Sequence, residues 1–465
     1  MTKPVTTTRR TFMKSSAAIG GTLALGSSLS TAHAQGSEEI RVALVGCGGR
    51  GTGAVAQMFN TKGNVKLVSV ADAFEGNCQK ALNSLKKRGA EKVVVNEDTT
   101  FVGLDSYKKA IDVDCDVVVI ATPPGFKPQQ FEYAVSKGKH IFCEKPVAAD
   151  APGIRRFLKA VESSKEQKLL IGIGLQRRHE THYKNLMEEI HSGKIGDIVN
   201  SRVYWNGGGI WFRGRQDGWT DMQDQCNNWY HFIWACGDQI VEQHIHNLDV
   251  GCWAKNAYPV SANGMGGWGR RLKGDGKESQ IYDHTFVEYT FADGSTMHSQ
   301  GRHLKNSFTR VGEYAAGTKG EAFFPAAYRM YGEQRPTKVQ GKGGGHQQEQ
   351  TNFINALMAG EIYNEGEYGA KSTFTAILGR EACYSGKVVK WDEFDQRKPD
   401  GTRVLPEKDD LLLSGKDWCP GIDNWTWNTR PPAVKDANGA YDIPKPGIYK
   451  MDEPLPAGLG GVNQA

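Results

Sequence analysis

The sequence predicts an α/β chain in two parts: a doubly wound parallel sheet first, then an α/β part whose strands pair antiparallel. Three observations predict it. Between residues 38 and about 175, short β-branched runs alternate with polar helical stretches, the pattern of a parallel sheet covered on both faces. From about Gln176 aromatics and glycines crowd the chain, and alternating runs such as "HTFVEYTF" and "STMHSQGR" follow, the pattern of a sheet with one buried face. The first apolar run ends in a glycine turn that opens onto a helical stretch.

Residues 1–34 read as an export leader. Arg9 and Arg10 precede Phe12 and Lys14, a weakly apolar run extends from Ala17 to Leu29, and Ala32-His33-Ala34 offers a small-x-small cleavage site. This is a twin-arginine signal, too short and too polar for a membrane span. It predicts a periplasmic or otherwise exported protein that leaves the cytosol folded. Cleavage after Ala34 removes Lys3, Arg9, Arg10 and Lys14 and no acidic residue, so the net charge falls from +5 toward neutrality. That balance gives no reason to expect nucleic acid or an anionic membrane as partner. No later stretch is long and apolar enough to span a bilayer. The nine cysteines are odd in number and contain no CxxC pair; they read as reduced, small apolar residues.

The runs "IRVALVG", "VKLVSVAD", "DVVVIATPP", "HIFCEKP" and "LLIGIG" are the expected strands of the first part, residues 38–175. Residues 176–397 form the second part, with helices at "QTNFINALMAG" and "STFTAILGREACYSG". Residues 398–465, rich in Pro, Gly, Asp and Trp, form a C-terminal extension.

Gly46, Gly48 and Gly51 form G-x-G-x-x-G directly after the first strand. The first glycine permits the turn, the second lets the backbone approach a pyrophosphate, and the third lets helix and strand pack closely. Gly49 and Arg50 fall within the same turn. Asp72 ends the second strand about twenty residues further on, where a carboxylate accepts from ribose hydroxyls and repels a 2′-phosphate; this favours NAD over NADP. Thr122 and Pro123 end a later strand at the same carboxyl edge, where ligands bind in such sheets.

Glu144 and Lys145 follow the next strand in "CEKPVA". Lys145 is expected beside the nicotinamide, where a cation orients a substrate hydroxyl and stabilises alkoxide character; a plain surface lysine is the alternative. In "GDQIVEQHIHNLDVGCW", Val241, Ile245, Leu248 and Cys252 make a buried stripe on one helix, and Glu242, His246 and Asp249 fall at i, i+4 and i+7 on another face. A neutral His246 can take a hydroxyl proton, and Glu242 can orient it. A solvated polar face is an alternative for this trio. A metal site is another, but it lacks an HExxH arrangement, so no metal is expected.

The order of GxGxxG, Asp72, "TPP", "EKPVA", "GLQRR", "HNLDV" and the closing "GREACYSGKVVKWDEF" resembles the glucose–fructose oxidoreductase, inositol dehydrogenase and MocA superfamily over about residues 40 to 395. The resemblance implies a Rossmann domain, a C-terminal α/β domain on an open antiparallel sheet, and a homodimer or homotetramer. It also implies that Lys145 and His246 are the catalytic lysine and histidine, with Glu242 as the acidic partner. Members often carry a histidine shortly after "TPP"; this chain has "GFKP", with Phe126 and Lys127. The glycine-rich "YPTHG" signature associated with NAD-dependent glycosidases of the superfamily is absent from the sequence.

Trp205, Trp211, Trp229, Tyr230, His231 and Trp234 lie between the two motif regions, and aromatic faces stack on sugar rings. Arg177, Trp229, Tyr230 and Asp249 are the expected substrate contacts, and a carbohydrate or polyol is the expected small-molecule partner. Three readings stay open. The first is an exported sugar oxidoreductase with tightly bound NAD. The second is a glycoside hydrolase or lyase that uses transient oxidation. The third is a catalytically silent sugar-binding protein.

Overall fold

The computed structural model describes residues 39–269, 279–391, 411–437 and 439–456. The expected leader at 1–34 and the first residues of the extension, 398–410, lie outside the described residues.

Six strands build the first sheet: β1 (Glu39–Val45), β2 (Asn64–Asp72), β3 (Thr100–Val102), β4 (Val117–Ile120), β5 (His140–Cys143) and β6 (Ile171–Ile173). They lie in the order β3-β2-β1-β4-β5-β6, and every pair is parallel. Each apolar run of the sequence became a strand because both faces are buried. In β1, Val42 and Leu44 pack into one core while Ala43 and Val45 pack into the opposite one. The order reverses between β1 and β4, so their carboxyl ends bound a crevice. The edge strand β3 was not foreseen; it has three residues, none of them buried, and leaves no apolar run to read.

The second sheet has nine strands: β7 (Ile198–Gly207), β8 (Ser261–Gly267), β9 (His284–Thr290), β10 (Thr296–His303), β11 (Arg310–Gly317), β12 (Gly320–Phe323), β13 (Ala327–Met330), β14 (Thr337–Lys338) and β15 (Val389–Lys390). Their order is β14-β13-β12-β11-β7-β10-β9-β8-β15. The sheet is mixed: β7 and β10 run parallel, and the other pairs are antiparallel. In β9 the inward Thr285, Val287 and Tyr289 are buried while His284, Phe286 and Glu288 are exposed, the period of a sheet covered on one side.

The helix Gly345–Ala359 crosses back onto the first sheet. Its Phe353, Ile354 and Leu357 join the core of Ile40, Val42 and Leu67, and Phe353 meets Phe142 edge-on at 5.9 Å. The helix Gly366–Ser385 is buried along most of its length. Residues 411–456 carry Trp418, Trp425, Tyr441 and Tyr449 into the main core. All nine cysteines are free thiols, eight of them buried. No helix among the described residues is long and apolar enough to cross a membrane.

Candidate active site

A cleft of about 750 Å³ opens at the carboxyl ends of β1, β2 and β4. Its floor is the glycine turn. Gly46 sits at φ +95°, and a Cβ there would lie 2.7 Å from the Ala121 backbone. A Cβ on Gly51 would overlap the Gly46 carbonyl oxygen. Gly48 and Gly49 differ: added Cβ atoms there would meet nothing within 4 Å, so bare backbone faces the cleft. The helix Gly49–Phe59 starts here with no side-chain cap and no acidic residue in its first turn. Its free N–H groups and dipole suit a bound anion.

Asp72 closes one side of the cleft. Its Oδ2 accepts from Cys47 N at 2.8 Å. Its Oδ1 accepts from Phe74 N and Asn77 Nδ2, both at 2.9 Å. Burial raises its pKa above the ordinary carboxylate value, against these hydrogen bonds. Thr122 and Pro123 line the opposite wall, and Thr122 Oγ1 donates to Gln130 Oε1 at 2.5 Å. Arg50 pairs with the buried Glu144 at 3.0 Å. Glu144 and Lys145 do not line this cleft. The bare glycines, the uncapped helix start and the anchored carboxylate fit the diphosphate and ribose of a dinucleotide.

The chain beyond β7 roofs the same cleft with Trp211, Arg213, Cys226, Asn227 and Trp229. Asn228 fixes this loop, accepting from Arg213 N at 2.8 Å and donating to Arg213 O at 2.9 Å. The C-terminal segment holds the roof from outside. Gln225 donates to Ala433 O at 2.6 Å, Tyr441 packs on Phe232 at 5.0 Å, and Trp427 packs on Phe74 at 5.4 Å.

Of the side chains of the expected chemistry, Lys145 from the first part meets Glu242 from the second. Lys145 Nζ donates to the Glu242 carbonyl oxygen at 2.5 Å and to its Oε1 at 3.1 Å. His246 is buried with its Nδ1 unpartnered and stacks on Trp205 at 5.8 Å. Burial drives its pKa well below the ordinary value, and the charges of Lys145 and Arg177 push the same way. His246 is thus biased toward the neutral imidazole, with Nδ1 unpartnered.

Two expectations are corrected here. The single helix through Glu242, His246 and Asp249 is broken into Gln239–Glu242 and Ile245–Lys255. The break changes the helical phase. Glu242 is hydrogen-bonded to Lys145 and not to the imidazole, and its Oε2 is buried without a partner. Asp249, expected at the substrate, is 1% exposed. It takes Arg178 on both oxygens, at 2.8 to 3.0 Å, and Ser372 at 2.7 Å. Arg177 pairs with the buried Glu313, which also accepts from Tyr183 at 3.1 Å and Asn247 at 2.6 Å. Both arginines are thus committed to carboxylates of the second part. Of the aromatics, Trp211 and Trp229 line the cleft. Tyr230 is buried with its hydroxyl on His303 at 3.0 Å, and His231 and Trp234 are core.

Residues 40–173 match the GFO_IDH_MocA family, described as an oxidoreductase family with an NAD-binding Rossmann fold. This part of the chain is similar to that family. Curated relatives include the inositol 2-dehydrogenase of Rhizobium meliloti strain 1021, 30% identical over 159 residues, 34% of this chain and 43% of the relative. Another is the scyllo-inositol 2-dehydrogenase (NAD(+)) of Bacillus subtilis strain 168, 25% identical over 49% of this chain and 57% of the relative. The chain spans about half the length of the curated relatives it matches. Among solved structures, a levoglucosan dehydrogenase complexed with NADH and L-sorbose superposes with TM-score 0.60 at 17% identity, covering 76% of this chain and 99% of that one. The scyllo-inositol dehydrogenase of Lactobacillus casei with NAD(H) and scyllo-inositol gives 0.58 at 19%, with the same coverage. These structures share the fold across both sheets.

The sequence reading gave these roles to none of three residues that the structure ties to the site. Lys127 lies beneath Lys145, and Glu313 anchors Arg177. Arg178, the second arginine of "GLQRR", is the partner of Asp249. The doubled arginine after β6 was the one available signal; their partners lie 136 and 71 residues away.

Proposed function

We propose that this protein is an exported, NAD-dependent oxidoreductase that acts on a hydroxyl of a sugar, glycoside or polyol and retains its cofactor between turnovers. One observation carries the reading. Lys145, at the end of β5, is hydrogen-bonded to Glu242 of the second part, and the nearby His246 is buried against Trp205 with its Nδ1 unpartnered.

The residues divide the work. Lys145 has three N–H donors; Glu242 takes two, and the third is left for a substrate oxygen. That donor stabilises negative charge on the oxygen as its proton leaves. His246, neutral and with Nδ1 free, accepts the proton. Glu242 holds the Lys145 amine in place. Trp205, stacked on the imidazole, gives a flat apolar wall of the kind that packs on a sugar ring. When bound, the nicotinamide supplies the hydride acceptor. Relatives named as inositol and levoglucosan dehydrogenases support a cyclic polyol or anhydrosugar as substrate.

Export rests on Arg9-Arg10 and the Ala32-His33-Ala34 site. Retention rests on the roof at Trp211–Trp229 and the C-terminal segment packed behind it. It calls for a binding free energy of about −10 kcal/mol or better. The test uses the mature protein from the exported fraction, dialysed at length. Myo-inositol, scyllo-inositol and levoglucosan are then supplied singly without added NAD. Stoichiometric appearance of bound NADH with one of them is expected. A dialysed protein that is empty and turns over only with free NAD would end the retention claim, and no oxidation of any polyol with NAD added would end the oxidoreductase claim.

A further inference from the structure

Lys127 occupies a place where a lysine is unfavourable three times over. It is 2% exposed, so its charge is taken out of water. It opens the helix Lys127–Ser136, whose N-terminal dipole repels a cation. It also lies close enough to Lys145 for the two charges to repel. Burial, first, then that repulsion push its pKa down, while Cys143, Glu242 and Glu144 oppose the shift. An unbranched apolar side chain such as methionine would fill the same volume without these costs.

What the ammonium gains is specific. Lys127 Nζ donates to the carbonyl oxygens of Lys145, at 3.1 Å, and of Pro146, at 2.9 Å. These two carbonyls belong to the peptides on either side of Pro146, directly after the Cα from which the Lys145 side chain departs toward Glu242. The following residue is pinned as well: Val147 N donates to Thr373 Oγ1 at 3.2 Å. The approach of Lys127 needs a tight loop. Gly125 supplies it, because a Cβ there would overlap the Trp234 carbonyl oxygen. Phe126 then wedges edge-on against Trp234 at 5.5 Å and Trp425 at 6.3 Å.

We infer that Lys127 is a positioning residue for Lys145: its amine, tied to both carbonyls of the Lys145-Pro146 turn, fixes the main chain that aims the Lys145 amine at the substrate oxygen. The inference rests on the proposed role of Lys145. Its effect falls on turnover rather than on cofactor binding, since Lys127 does not line the nucleotide cleft.

The test is a double-mutant cycle in the full-length holoprotein, using whichever of myo-inositol, scyllo-inositol and levoglucosan reduces its NAD. Lys127→Met keeps the stem and removes the donors. It is expected to lower kcat by about 10- to 100-fold, the scale of a misplaced catalytic group, with KM and cofactor content unchanged. In a Lys145→Ala background the same change should cost nothing further, because the residue it positions is gone. An equal loss in both backgrounds would mean a general structural role and overturn the inference, as would full turnover in Lys127→Met. Full turnover in Lys145→Ala is a separate result that overturns the reading of Lys145 itself. Lys127→Gln, which keeps a donor for one carbonyl, covers the case where the methionine variant does not fold: an intermediate loss supports the inference and wild-type kcat overturns it. A crystal structure of the variant gives a readout free of any substrate. Displacement of Lys145 Nζ from Glu242 by about 1 Å or more is expected; an unmoved amine overturns the proposal.

Discussion

The two ends of the site are built from different materials. The nucleotide end is made of backbone: bare glycines, an uncapped helix start and main-chain N–H groups that fix Asp72. The chemical end is made of buried side-chain charges brought together from distant parts of the chain, such as Lys145 with Glu242 and Arg178 with Asp249. Backbone sites are constrained sterically and tolerate little change in shape. Charge sites are constrained electrostatically, and removing one partner strands the other in a poorly solvated place.

Substitutions can separate the two. The largest effect is expected at the chemical end. Lys145→Ala and His246→Ala should each lower kcat by about 100-fold or more, while NAD content after gel filtration stays at the wild-type level. Near-normal turnover in either variant removes that residue from the chemistry. Next comes the backbone end. Gly51→Ala forces its new methyl onto the Gly46 carbonyl oxygen and should cost about 1–3 kcal/mol of stability. Denaturant melts read the stability loss, and loss of bound dinucleotide should accompany it. A variant as stable and as well loaded as wild type would show that the turn relaxes freely.

Asp72→Ser lies between the two kinds of construction, a side chain held by main chain. It should bring several-fold better relative binding of NADP, because a negative charge leaves while Lys80 and Arg88 still line the cleft. Competitive titration of both dinucleotides measures this, and unchanged discrimination would mean that Asp72 does not reach the ribose. The smallest effect is a missing one. The lowered pKa of His246 keeps the imidazole unprotonated, and so able to accept, as pH falls through the usual histidine value. The kcat profile should therefore show no half-loss near about pH 6.5. An inflection there would place His246 in water or outside the rate-limiting step.

The same contrast decides what could be read from the sequence. The first sheet was legible because each strand is a local apolar run, and the nucleotide turn because Gly46, Gly48 and Gly51 stand close together and Asp72 ends the next strand. The chemical residues were legible only one by one. Lys145 and His246 carried local motifs, but nothing near Glu242 says that the helix breaks after it and turns it toward Lys145. Asp249 looked like part of the catalytic face until Arg178 and Ser372 were seen to claim it. Lys127 read as a departure from a family pattern; only the fold shows two carbonyls waiting for its amine. Similarly, Trp234 and Trp229 look alike in sequence, and burial alone separates the core residue from the cleft residue.

The contacts behind the roof also set an order of events. Gln225 and Phe232 are held by Ala433 and Tyr441, and the Phe74 wall is backed by Trp427. Synthesis runs from the N-terminus and early segments fold first. The glycine turn and Asp72 are therefore assembled while the clasp that shuts over them is still inside the ribosome. During that interval the crevice lacks the contacts that Ala433, Tyr441 and Trp427 later supply. Under the proposed reading residues 427–441 serve as a latch, and the direction of synthesis puts loading before closure.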